Sequence, residues 1–146
     1  MNADQTNNSV AHTKTGVILV VANFDECVEF YRDLFGLKVL HEKANGTFRL
    51  TCLEFGSSYL MIESAIPSAQ AATDEIPGRN PTKLRFNVPD IESALKRVRE
   101  YGLDAQIETY DWGSTINIVD PDGNPVGIRD QQGFNRDNDI FARTKE

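Results

Sequence analysis

Hydrophobic and polar positions change period along this chain in one order, and the order occurs twice. Residues 17–21, Val-Ile-Leu-Val-Val, form a short β-branched run that predicts a buried strand. Phe24, Cys27, Val28, Tyr31 and Leu34 or Phe35 then recur at helical spacing on one face. Asn23 stands where that helix begins, with Glu26 three residues on, the pattern of a capping box. Gly36 stands where a C-cap glycine is expected. Strands are predicted over residues 37–42, 48–55 and 59–64, separated by Ala44-Asn45-Gly46 and Gly56-Ser57-Ser58.

From residue 65 to 81 the composition shifts to Ala, Ser, Pro and Gly, which predicts a linker. The pattern then restarts. Leu84, Phe86 and Val88 alternate with Lys83, Arg85 and Asn87, as in a half-buried strand. Asp90 caps a second helix with the apolar stripe Ile91, Ala94, Leu95, Val98 and Tyr101, and Gly102 ends it. Strands are predicted over 105–110, 114–119 and 125–130. Asp120-Pro121-Asp122-Gly123-Asn124 forms the hairpin turn before the last strand, with Pro presetting the turn and Gly or Asn taking positive φ.

The two halves align as Val21-Ala22-Asn23-Phe24-Asp25 with Val88-Pro89-Asp90-Ile91-Glu92, and as Leu60-Met61-Ile62 with Val126-Gly127-Ile128. Each half reads βαβββ. One helix covers one face of a four-stranded sheet and leaves the other open, so two such sheets can meet around a cleft. The expected architecture is α+β: two βαβββ modules, residues 14–64 and 82–130, forming paired, curved mixed sheets around a cleft. Residues 1–13 read as a disordered leader, 65–81 as the linker and 131–146 as a polar tail.

The charge of −7 disfavours nucleic acid as a partner, since phosphates require a basic footprint. At 146 residues roughly 70% of the unfolded surface is removed from water, so no covalent staple is required. The two cysteines, Cys27 and Cys52, form no CxxC or Cys/His cluster and read as reduced packing residues. No apolar run spans a membrane and no signal core opens the chain, which predicts a cytoplasmic protein.

The chain resembles the vicinal oxygen chelate superfamily, which includes glyoxalase I, extradiol dioxygenases and the fosfomycin- and bleomycin-resistance proteins. The residues that carry the resemblance are Phe30-Tyr31-Arg32-Asp33-Leu34-Phe35-Gly36-Leu37, Asp111-Trp112-Gly113 and Asp120-Pro121-Asp122-Gly123-Asn124, together with the repeat. The resemblance implies metal ligands on the first and last strand of each cassette. The matching positions here are Gly16, Met61, Lys83 and Gly127. Glycine has no ligand atom, protonated lysine has no acceptor, and a thioether suits copper(I) rather than a hard or borderline divalent ion. His12 and His41 lie in the leader and on the second strand and do not replace the set. The closer resemblance is therefore to the metal-free, bleomycin-resistance-like members. It implies a metal-independent small-molecule binding protein that sequesters a drug or metabolite, needs no cofactor and forms a homodimer. The alternative is a lyase, isomerase or dioxygenase of the same superfamily with a displaced metal or a metal-free mechanism.

Strand periodicity assigns side chains to the cleft: Tyr59, Met61 and Glu63 from the first half, and Lys83, Arg85, Asn87, Thr115, Asn117 and Arg129 from the second, with Trp112 at the rim. Two readings follow. In one, the three cations hold an anionic group while Trp112, Tyr59 and Met61 cover an apolar or aromatic part. In the other, the cations pair with Glu54, Glu63, Glu108 or Asp111 and bind nothing. The cleft inventory favours an anion, whereas the family resemblance suggests a cationic drug. No Ser/His/Asp or Cys/His set can be assembled, and no motif sets a base beside Tyr59 or Tyr110.

Overall fold

A computed structural model describes residues 9–65 and 79–144 of the chain. Strand β1 (Gly16–Val21) leads into helix α1 (Phe24–Glu29), which widens into a π-helical turn over Phe30–Leu34. β2 (Val39–Asn45), β3 (Phe48–Phe55) and β4 (Ser58–Ser64) complete the first half. The second half is β5 (Leu84–Val88), α2 (Ile91–Tyr101), β6 (Ile107–Tyr110), β7 (Gly113–Val119) and β8 (Pro125–Asp130), followed by α3 (Gln131–Thr144). The sheets run β1-β4-β3-β2 and β5-β8-β7-β6, with β1∥β4 and β5∥β8 parallel and the remaining pairs antiparallel. This is the α+β arrangement of two βαβββ modules that the repeat predicts.

The local differences have physical causes. The π turn puts one extra residue in the helix, so the adjacent Phe30 and Tyr31 both reach the interior. The capping box at Asn23 does not form, because its side-chain amide donates to Asp122 of the other half (2.7 Å) instead of capping α1. Asp90 does cap α2, accepting from the backbone N–H groups of Glu92 and Ser93. Gly102 takes φ +109 at the helix end. In the turn before β8 the left-handed position falls to Gly123 at φ +84. β2 starts later than expected and carries a register irregularity between Val39 and His41. Most of the expected leader and linker lies outside the described residues. The stretch expected as a polar tail carries α3.

One core serves both halves. Leu19, Val21, Phe30, Leu53, Leu60 and Ile62 from the first pack with Leu84, Leu95, Val98, Ile116, Val126 and Ile128 from the second. Each side chain of this size contributes about 1.5–3 kcal/mol on burial. The join runs through the helix-bearing faces. Phe35 stacks on Phe86 with ring centroids 3.8 Å apart, and Phe55 meets the same ring edge-on. Polar groups reinforce it: Tyr31 donates to Asp120, and Asp122 accepts from the Ala22 and Asn23 backbone. Asn80 bonds Val20 on one side and Asn124 on the other. The opposite sheet faces therefore point outward, where Ile18 and Val20 remain 50% and 40% exposed.

Candidate functional site

The predicted site residues lie on these two outward faces. On the first sheet, register sets Tyr59, Met61 and Glu63 of β4 beside Gly16, Ile18 and Val20 of β1. The same register sets Glu54, Cys52 and Leu50 of β3 on their other side. The Tyr59 ring lies directly over Gly16, in the space a Cβ there would occupy. Cys52 is free and buried, and burial raises its thiol pKa despite the nearby Lys14.

On the second sheet, Arg85 pairs in register with Gly127, Asn87 with Arg129, Thr115 with Arg129 and Asn117 with Gly127. Lys83 donates to Asn117 (2.8 Å), and Asn117 donates weakly to Glu108 (3.4 Å). A Cβ on Gly127 would meet Lys83 Cε at 3.2 Å and Arg85 Nε at 3.7 Å, so both cations lie across this glycine. The crowding at Gly16 and Gly127 thus comes from side chains of the adjacent strand in the same sheet.

Arg129 is 6% exposed. Its Nη2 donates to the Trp112 carbonyl (2.8 Å) and to Asp137 on α3 (2.6 Å). Its guanidinium carbon lies 4.8 Å from the Trp112 ring centroid and 5.7 Å from that of Phe134. Arg85 lies over the same indole at 5.7 Å. Trp112 in turn stacks on Tyr110, with centroids 5.2 Å apart and planes within 10°. The Tyr110 hydroxyl donates to Glu108 (2.8 Å), and that bond raises its pKa. Thr115 is buried, with its hydroxyl donated to the Ile128 carbonyl.

The expected pairing of the cations with Glu54, Glu63, Glu108 or Asp111 does not occur among the described residues. Arg129 is paired by Asp137, Lys83 by a neutral amide, and Arg85 lies on an aromatic ring. The structure gathers Lys83, Arg85, Asn87, Trp112, Thr115, Asn117 and Arg129 on one face, and Tyr59, Met61 and Glu63 on another. It does not bring the two groups together within one chain. A depression of about 380 Å³ at the edge of the second face is lined by Lys83, Asn117, Val119, Pro125, Leu103 and Asp104.

The residues at the metal positions do not fit a divalent ion. Gly16 lies under a phenol ring, Gly127 under two cationic side chains, and Lys83 spends a donor on Asn117. Among the described residues no three His, Cys, Asp or Glu side chains gather as a ligand group.

Sequence reasoning missed α3. Asp130 seats its first turn by accepting from Ser114 N (2.8 Å) and Gly133 N (3.0 Å). Burial opposes ionisation of Asp130, but the backbone N–H groups it accepts from, together with the nearby Arg129 charge, hold the pKa below the usual value. Gly133 lets the helix approach the Trp112 carbonyl. The signal was present as Asp130 at the start, with Phe134, Asp137 and Phe141 at helical spacing after it.

The model of the glyoxalase-like domain family matches residues 15–131. No curated protein sequence matches the chain. Among solved structures, it is similar to TnmS3, an antibiotic-binding protein from Streptomyces sp. CB03234, at 18% identity, over 84% of this chain and 98% of that one, with a TM-score of 0.63. It is similar to the lactoylglutathione lyase of Agrobacterium tumefaciens at 20% identity, over 84% and 96%, with a TM-score of 0.63. It is similar to the glyoxalase I of Leishmania major at 16% identity, over 92% and 98%, with a TM-score of 0.66. At these identities the likeness is one of fold. With the duplicated βαβββ module and the family match over residues 15–131, the chain belongs to the glyoxalase-like family of the vicinal oxygen chelate superfamily.

Proposed function

We propose that this protein binds a small molecule without a metal, on the face built by Lys83, Arg85, Trp112 and Arg129. The observation that carries the reading is the second-sheet face itself. Lys83 and Arg85 lie across the glycine where a ligand-bearing residue would stand, beside an indole that is stacked and partly buried. Lys83 and Arg85, which have no carboxylate partner among the described residues, next to an aromatic platform suit an anionic or electron-poor planar ligand. Sequestration of a drug or metabolite follows as the biological role, in line with the antibiotic-binding activity named for TnmS3. A thermal-shift panel of glycopeptide, quinone and aromatic compounds tests it, and stabilisation by none of them sinks it.

The proposal includes a symmetric homodimer. The first-sheet face carries Glu54, Glu63, Ile18 and Val20, and the second carries Lys83 and Arg85. Setting each first face against the partner's second face in a two-fold arrangement pairs opposite charges, covers exposed apolar strands and encloses a cleft between chains.

A further inference from the structure

The C-terminal helix α3 lies on the proposed binding face. Its side chains Phe134 and Asp137 are three residues apart and so share one side of the helix. Both reach Arg129: the phenyl ring flanks the guanidinium and the carboxylate accepts from Nη2. Together they present to Arg129 a ring and a carboxylate.

The fit is incomplete. Arg129 Nε is buried and finds no acceptor among the described residues. A guanidinium offers its Nε and Nη2 hydrogens as a fork matched to the two oxygens of a carboxylate. Asp137 meets this fork at one nitrogen only, from a side chain that is 43% exposed. Beyond the first turn that Asp130 seats, no residue of the helix is buried, and Ile140 is 51% exposed.

We propose that Arg129 is a recognition site for an aromatic carboxylate and that α3 occupies it as an internal stand-in. Phe134 takes the place of the ligand's ring, and Asp137 takes the place of its carboxylate. This rests on the binding function proposed above and names the ligand class. A free ligand forks onto Nε and Nη2, stacks against Trp112 and displaces the first turns of α3. Displacement without a replacement anion is costly, because it leaves a buried unpaired charge. Exchange avoids that cost, and the released Asp137 returns to water it already half meets. The helix therefore leaves when a carboxylate arrives.

Trp112 is the single tryptophan of the chain, so its fluorescence reports the site directly. The test titrates wild type, Asp137→Asn and Arg129→Lys with phenylacetate and with neutral phenylacetamide, and follows tryptic cleavage after Arg136 and Arg143. Asp137→Asn is expected to bind phenylacetate about fivefold more tightly than wild type, the equivalent of one lost competing ion pair. Phenylacetate is expected to speed cleavage within α3, and phenylacetamide is not. Arg129→Lys keeps the charge but loses the fork, and is expected to lose both responses. Should that variant not fold, the comparison of wild type with Asp137→Asn decides alone. Absence of phenylacetate binding, equal affinity in wild type and Asp137→Asn, or cleavage unaffected by phenylacetate overturns the proposal. If a panel compound stabilises the protein while phenylacetate leaves α3 cleavage unchanged, the exchange fails and the broader binding function stands.

Discussion

The Tyr31 hydroxyl donates to Asp120 across the module boundary at 2.7 Å, with both side chains buried. The bond spans 89 residues of sequence and fixes the π-helical turn after α1 against the turn before β8. Burial first, and then the Asp120 carboxylate, push the phenol pKa far above its usual value. Tyr31→Phe keeps the ring and removes a donor from a buried carboxylate. The expected loss is about 1–3 kcal/mol in chemical denaturation, and an unchanged midpoint would contradict the assignment.

The same pair predicts an alkaline limit. Cys27 is a buried residue of α1, and burial, with Asp120 and Asp122, raises its thiol pKa as well. A group whose folded pKa lies above its unfolded value contributes stability that is complete below the unfolded pKa and is lost as pH rises beyond it. The unfolded values are 9.0 for Cys27 and 10.0 for Tyr31. Stability is therefore expected to hold below about pH 9 and to fall above it, with a shallower fall in Cys27→Ala and in Tyr31→Phe. Unfolding midpoints from pH 7 to 11 check this.

Asp122 clasps the chain just before α1. Its carboxylate accepts from the Ala22 and Asn23 backbone and from the Asn23 side chain. Asp122→Ala is expected to cost about 1–2 kcal/mol, with faster hydrogen exchange at Ala22 and Asn23. Exchange unchanged at those two amides would show that the clasp is unimportant.

How the two halves would fold was legible from period and turn chemistry. Leu84, Phe86 and Val88 turn inward as alternation predicts, and Gly102 and Gly123 take the positive φ their turns require. The faces of Tyr59, Lys83 and Arg85 were legible for the same reason. How the halves meet was not, because periodicity says which side chains leave a strand together but not what they meet. Asn23 shows the limit: it has the residue type of a local cap, yet its partner is 99 residues away. Asp137 was hidden by composition. Polarity made residues 131–146 read as a tail, although an amphipathic helix can dock through few side chains.

Gly133 tests the seating of α3. Alanine normally favours a helix over glycine by about 1 kcal/mol. Here an added Cβ would lie 2.7 Å from the Trp112 carbonyl oxygen and 2.9 Å from Asp130 Oδ1. Gly133→Ala is therefore expected to lift the helix and raise tryptic cleavage after Arg136. Slower cleavage would mean that propensity outweighs the clash and that the contact is loose.

The dimer proposal predicts a sedimenting species of about twice the 16.3 kDa chain mass. Arg85→Glu sets a like charge against the acidic first face and is expected to shift the equilibrium toward monomer, more so at low salt. A monomer at every concentration would end the proposal of a cleft between chains.

The central claim is a binding site that works without a metal. Its most direct measurement is the thermal-shift panel run on chelator-treated protein, repeated with added zinc, nickel, iron or manganese. At least one compound is expected to stabilise the metal-stripped protein, and the metals are expected to leave that shift unchanged. Stabilisation that appears only with a stoichiometric divalent ion would contradict the account.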